Sequence, residues 1–199
     1  MENNFDFINF SFFEIDSITD MKNAVMDIFI EDFESGKANF VKTPFTISEF
    51  INPHIGGNHE YEFCCWNVPQ YSHKIFFISN LGDGWITLCN VLSKKLQCCF
   101  YQFAFTNGSN QKTPFFMFHY SSEQGIKRNV LNYKDNKWIF YEKGPVNNCE
   151  VAEFYEKRKI RERLNKEILL LYLKNLGISL WDIDNDVADY FVVKRGHKF

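Results

Sequence analysis

The sequence predicts an α+β fold: an antiparallel β-meander over about 97–142, flanked by a helix at about 20–34 and another at about 150–176. Three observations carry this. Four aromatic or β-branched runs, 96–106, 113–120, 126–133 and 137–142, are separated by Asn107-Gly108, Gln124-Gly125 and Lys134-Asp135-Asn136, which are turn formers. Met21, Ala24, Val25, Ile28 and Phe29 recur at helical spacing and stop at Ser35-Gly36. After Gly144-Pro145 a third stretch is charged nearly all round from Glu150 to Lys166 and apolar from Ile168 to Leu173. It ends at Gly177, as a helix exposed where it begins and buried where it ends would.

The remaining elements follow in chain order. Thr19 is the expected N-cap of the first helix, and Thr46-Ile47-Ser48-Glu49 reads as a capping box for a short helix closed by Asn52-Pro53. A polar loop over 52–60 leads into a strand at 61–67, and a second strand is expected at 73–80. Asp83 can cap a helix carrying Trp85, Leu88, Cys89 and Leu92. Phe115-Phe116-Met117-Phe118 is apolar on both faces, which predicts a central strand covered on both sides. Tyr190–Val193 is a last short strand. The organisation expected is one domain over 1–199, with a small N-terminal lobe at 1–70 as the alternative division near Pro69.

At 199 residues the chain buries roughly 70% of its unfolded surface, so it needs neither disulfides nor metal to hold a core. With 23 phenylalanines against five alanines, that core is wide and aromatic. The six cysteines, at 64, 65, 89, 98, 99 and 149, form no C-x-x-C. Free thiols, no zinc site and a reduced, cytoplasmic setting are expected. On a strand, Cys64 with Cys65, and Cys98 with Cys99, would each offer one inward and one outward thiol. No stretch approaches the eighteen or so apolar residues of a membrane span.

The net charge of -3 divides unevenly. Residues 1–100 carry 13 acidic and 6 basic side chains, a net of -7, while residues 101–199 carry 12 and 16, a net of +4. Such asymmetry permits an acidic surface that steers a basic partner. Asp27, Glu31, Asp32 and Glu34 close the first helix against its macrodipole, so local stability does not account for them. They are the candidate partner-binding residues.

Other chemistry is weaker. His54 and His59 share a Gly-rich loop with Glu60 and Glu62 nearby, and with His73 and Asp83 they define the 54–83 region as the place for a small hydrolase-like His/Glu/Asp site. Their spacing is not that of a helical ligand pair, and no third metal ligand presents itself. Cys65, Cys99 and Ser79 lack a nucleophile elbow, and the glycine pairs are too short for a phosphate loop. No cofactor is implied. The basic stretch 157–166 is a second alternative, a helix gripping nucleic acid. Against it, Glu153 with Lys157 and Glu162 with Lys166 are spaced to pair within the helix, and the pI of about 6.0 disfavours nucleic acid as a partner.

The segment Lys137-Trp138-Ile139-Phe140-Tyr141-Glu142-Lys143-Gly144-Pro145, followed by Glu150, Tyr155, Arg161, Arg163, Tyr172-Leu173 and Leu176-Gly177-Ile178, resembles the C-terminal half of bacterial proteins of the polymorphic-toxin immunity type. The resemblance covers about 100–178 and carries no catalytic motif. It implies a cytoplasmic protein that binds and neutralises a cognate toxin domain. The acid cluster would suit a basic nuclease, by presenting carboxylates where the nuclease takes phosphates.

Overall fold

The computed structural model describes residues 5–53, 60–107 and 113–196. Its strands are β1 (Phe7–Phe13), β2 (Ala38–Val41), β3 (Tyr61–Asn67), β4 (Ile75–Ser79), β5 (Phe100–Thr106), β6 (Phe115–Ser121), β7 (Lys127–Lys134), β8 (Trp138–Lys143) and β9 (Asp189–Arg195). Its helices are α1 (Ile18–Ile28), α2 (Ile30–Glu34), α3 (Ile86–Leu96) and α4 (Lys166–Asn175), with short 3-10 turns between. All nine strands join one antiparallel sheet in the order β2-β9-β3-β4-β1-β5-β6-β7-β8. The α+β class and the meander β5–β8 are as the sequence predicts, and β3 and β4, on either side of Pro69, pair with each other.

Each face of the sheet has its own core. Ile8, Phe10 and Phe12 of β1, Phe103 and Phe105 of β5, and Phe116 and Phe118 of β6 face a layer made by 145–183, in which α4 contributes Ile168, Leu169, Tyr172 and Leu173. Phe13, Phe63, Phe77, Phe100 and Phe191 face the other way, against Met21, Ala24 and Val25 of α1 and Leu88, Cys89 and Leu92 of α3. Cys64 and Cys65 therefore point to opposite faces and both are buried, because each face of β3 is covered. The outward thiol expected from alternation alone is absent there.

Three local expectations are corrected. The stretch 150–176 is not one helix: a 3-10 turn over Ala152–Glu156 gives way to extended backbone at Lys157 and Lys159, a second turn over Ile160–Glu162, and then α4. This irregular stretch is tied to β7, where Asn132 Nδ2 donates to the carbonyls of Ile160, at 2.9 Å, and Leu164, at 2.6 Å. The helix then starts where Asn165 caps it through Ile168 N at 2.9 Å.

The helix at 20–34 is capped by Ser17 and breaks at Phe29, where φ is -109° and ψ is 27°. The helix after Asp83 runs on to Leu96, where Gln97 in the left-handed region ends it, so β5 begins at Phe100 and not at 96.

The strand β1 was not legible in the sequence, yet it is the middle of the sheet, paired with β4 and β5. One of its faces is Phe7, Asn9, Ser11 and Phe13, and the polar pair in that row finds partners only far along the chain. Asn9 Nδ2 donates to Gly82 O at 3.0 Å, and Gln102 Nε2 donates to Asn9 Oδ1 at 2.8 Å. Gly84, at φ +66°, lets the chain pass over this pair, since a Cβ there would stand 2.5 Å from Asn9 Oδ1 and from Gln102 Nε2.

Candidate functional site

The face shared with α1 and α3 changes character along the sheet. Register places its side chains in rows that cross the strands. One row is Phe13, Phe100, Ser121 and Lys127, and the next is Ser11, Gln102, His119, Asn129 and Lys143. Beyond these come Asn9, Ala104, Met117, Leu131 and Tyr141, and then Phe7, Thr106, Tyr133 and Ile139 with Phe115 between them. The first two rows are mostly polar over β6–β8 and lie beside α3. The last two are mostly apolar.

Over those apolar rows the described residues place no helix. Phe7, Phe115, Met117, Leu131, Tyr133, Ile139 and Tyr141 belong to neither core. Phe7 meets Phe115 edge-on at 6.0 Å, Phe115 lies 6.4 Å from Tyr133, and Tyr141 is 46% exposed. Among the described residues, the strand expected to be covered on both sides is covered by a helix on one: Phe116 and Phe118 are 8% and 0% exposed on the α4 side, whereas Phe115 and Met117 are only half-buried on the other. Seven large apolar side chains in one contiguous half of a sheet face exceed the scattered exposure that needs no explanation.

The polar rows border a cleft of about 820 Å³ between α3 and the β6–β7 turn, lined by Asn90, Ser93, Lys94, Lys95, Ser121, Ser122, Glu123 and Lys127 among others. Lys127 Nζ donates to Asn90 Oδ1 at 3.0 Å, and Lys95 pairs with Asp27 of α1 at 3.0 Å. Lys94 and Lys143 have no carboxylate partner among the described residues. Below, His119 Nδ1 bonds Asn129 Oδ1 at 2.5 Å, while its buried Nε2 and the buried Oε1 of Gln102 have no partner among the described residues. Burial holds the His119 imidazole below its ordinary range, against the pull of Asn129, and Lys127 adds to the lowering.

The acid cluster is divided by the break at Phe29. Asp27 is tied to Lys95, and Asp32 to Arg195 of β9 at 2.6 Å. Glu31 and Glu34 remain exposed and unpaired among the described residues. So two of the four carboxylates fasten α1 and α2 to the rest of the fold, and two face solvent.

The 54–83 candidates do not gather. His54 and His59 lie outside the described residues. His73 precedes β4 and bonds exposed Asp16, while Glu62 pairs with Lys194 at 3.3 Å at the other end of the β3–β4 pair, roughly 20 Å away along the strands. Asp83 accepts from Trp85 N at 3.0 Å in the loop before α3. Ser79 and Cys65 are buried, and burial pushes the Cys65 thiol up. Cys99 lies 3.4 Å from the Tyr120 hydroxyl. No group of three or more His, Cys, Asp or Glu suited to a metal occurs among the described residues.

The basic stretch 157–166 is not one helix and is largely engaged within the chain. Arg163 Nε donates to Lys157 O at 2.9 Å, its guanidinium lies 5.4 Å from the Phe140 ring centre, and Lys166 reaches Asn107 at 2.5 Å. The Glu153–Lys157 and Glu162–Lys166 pairs do not form, and Glu162 meets Lys159 at 3.3 Å instead.

Several residues quoted for the family resemblance prove structural. Arg128 is 2% exposed and grips Glu150, whose side chain is fully buried, through Nε and Nη2 at 3.0–3.1 Å. Tyr155 donates to the same carboxylate, and Tyr172 donates to Tyr155 at 2.8 Å. Burial alone would lower the Arg128 pKa, but Glu150 and Glu142 outweigh it and hold the guanidinium above its ordinary value. Burial, reinforced by Glu150, pushes the Tyr155 phenol well up, and burial takes Tyr172 to about 12.

Sequence reasoning missed the open apolar face. Its signal was present in Met117, Leu131, Tyr133, Ile139 and Tyr141, which alternate with inward residues, but such alternation reads equally as a covered strand. No protein-family model, curated protein or solved structure matches this chain. No helix among the described residues is long and apolar enough to cross a membrane.

Proposed function

We propose that this chain is a protein-binding module, a cytoplasmic inhibitor of the immunity type that binds and neutralises a cognate toxin domain. The observation that carries the binding reading is the half-sheet of apolar side chains belonging to neither core. A rigid, uncovered β-face of this kind offers shape and apolar area at little entropic cost, because its side chains are already held by their neighbours. The immunity class rests on the resemblance of residues 100–178. The exposed Glu31 and Glu34 favour a basic region on the same partner, steered at long range.

The test is affinity purification of the tagged full chain from its native host at low salt, beside a Met117→Lys/Leu131→Lys variant. Support is a partner retained in stoichiometric amount by the parent, lost by the variant, and toxic on expression unless this chain is expressed with it. A partner that the variant still retains, or one without toxicity, would defeat the reading. So would turnover of a small substrate by the isolated chain.

A further inference from the structure

The open face also specifies the chemistry of what covers it, an inference that rests on the protein-binding reading. The stripe from Phe7 to Tyr141 spans four inter-strand steps, about 19 Å, and two residue rows, about 7 Å, which with side-chain width gives roughly 300 Å². A stable interface takes about 800 Å² from each partner. The stripe therefore supplies less than half of a sufficient contact, and its borders must supply the rest.

One border is basic. At one end, past Met117 and Leu131, stand Lys94, Lys127 and Lys143, with Glu123 as the nearby acid. At the other, on the β7–β8 turn past Tyr133 and Ile139, Lys137 stands beside Asp135, while Lys134, opposite Trp138, faces the α4 side. Lys143 is exposed and, like Lys94, has no carboxylate partner among the described residues. We infer that the β6–β8 face binds a protein surface with an apolar centre bordered by carboxylates at the end that meets Lys94, Lys127 and Lys143.

Two other occupants fit less well. A second copy joined face to face by a two-fold axis along the strands would set the lysine end against itself, and like charges across an interface are costly; an axis across the strands would set it against the near-neutral Asp135–Lys137 turn and leave it without carboxylates. An anionic membrane matches the charge, but membrane anchoring sinks protruding apolar groups into the headgroup region. Here the rings lie against one another on a pleated surface, and of the stripe only Tyr141 is more than about a third exposed.

Two displayed peptide libraries test this, with the same apolar centre but Asp/Glu or Lys/Arg flanks, selected against the full chain. The expected result is enrichment of acid-flanked peptides alone, loss of their binding in the Met117→Lys/Leu131→Lys variant, and a switch towards base-flanked peptides in a Lys127→Glu/Lys143→Glu variant. Circular dichroism and melting confirm that both variants are folded. Base-flanked enrichment dependent on Met117 and Leu131 would overturn the partner chemistry while sparing the binding reading. Failure to select any peptide that depends on those two residues would overturn both. Sedimentation as a dimer lost in the Met117/Leu131 variant, or pelleting with phosphatidylserine-containing vesicles lost in that variant, would assign the face to a second copy or to a membrane and overturn the inference.

Discussion

Replacing Glu150 by Gln should destabilise this fold far more than replacing Glu142 by Gln, although both carboxylates bond the same guanidinium. Glu150 is fully buried and accepts from Arg128 Nε and Nη2, from Asn147 N at 2.6 Å, and from Tyr155. Glu142 meets Arg128 Nη2 at 2.7 Å, but its side chain is 41% exposed. An amide at 150 keeps the shape yet leaves Arg128 buried with one half-solvated counter-charge. Breaking a buried pair in this way costs about 3–5 kcal/mol, whereas a pair open to water is worth about 1 kcal/mol or less. With a urea m-value of about 2 kcal/mol per molar, Glu150→Gln should move the unfolding midpoint down by roughly 1.5–2.5 M and Glu142→Gln by at most about 0.5 M. The assay is urea unfolding followed by tryptophan fluorescence and far-UV circular dichroism. Converting the network to Arg128→Met/Glu150→Leu/Tyr155→Phe should recover much of the loss, because no charge is then stranded. Equal shifts for the two glutamate variants, or a Glu150→Gln shift below about 0.5 M, would refute the reasoning.

Three further outcomes are expected. On β6, Phe118→Ala should cost about 3–5 kcal/mol, since Phe118 is fully buried against α4, while Met117→Ala should cost about 1 kcal/mol because it belongs to neither core; equal losses in urea unfolding would mean that the open face is covered. Because His119 is held below its unfolded value of about 6.5, the folded state binds fewer protons than the unfolded one as pH falls past that value; this share of stability is complete above it, is lost as pH drops towards the depressed folded pKa, and should vanish from the pH profile of thermal unfolding in His119→Gln. Under native conditions iodoacetamide should label Cys99 first and the other five cysteines only on unfolding, since they are buried, with the thiols of Cys64, Cys89, Cys98 and Cys149 pushed up to about 12; peptide mass spectrometry would contradict this if Cys64 or Cys149 reacted as fast as Cys99.

Local pattern alone determined the meander, the strand at 61–67, the helix near 20–34 and the stop at Gly177, because alternation, turn residues and helical spacing act between neighbours in the chain. What failed were the elements whose fate is set by distant partners. β1 is a run of aromatics broken by Asn9 and Ser11; Gln102, Gly82 and the passage of Gly84 make Asn9 acceptable at the middle of a sheet, and Cys89 Sγ meets the Ser11 hydroxyl. The helix expected from 150 begins only at Lys166, and the stretch before it is held to the sheet by a distant side chain of β7, Asn132, which bonds the carbonyls of Ile160 and Leu164. The acid cluster was visible as a cluster, but Lys95 and Arg195 decide which of its members are free. The open face was the least legible of all. A sequence records that Met117 and Leu131 are apolar, but whether a helix reaches over them depends on where α3 ends its traverse of the sheet, and tertiary packing fixes that.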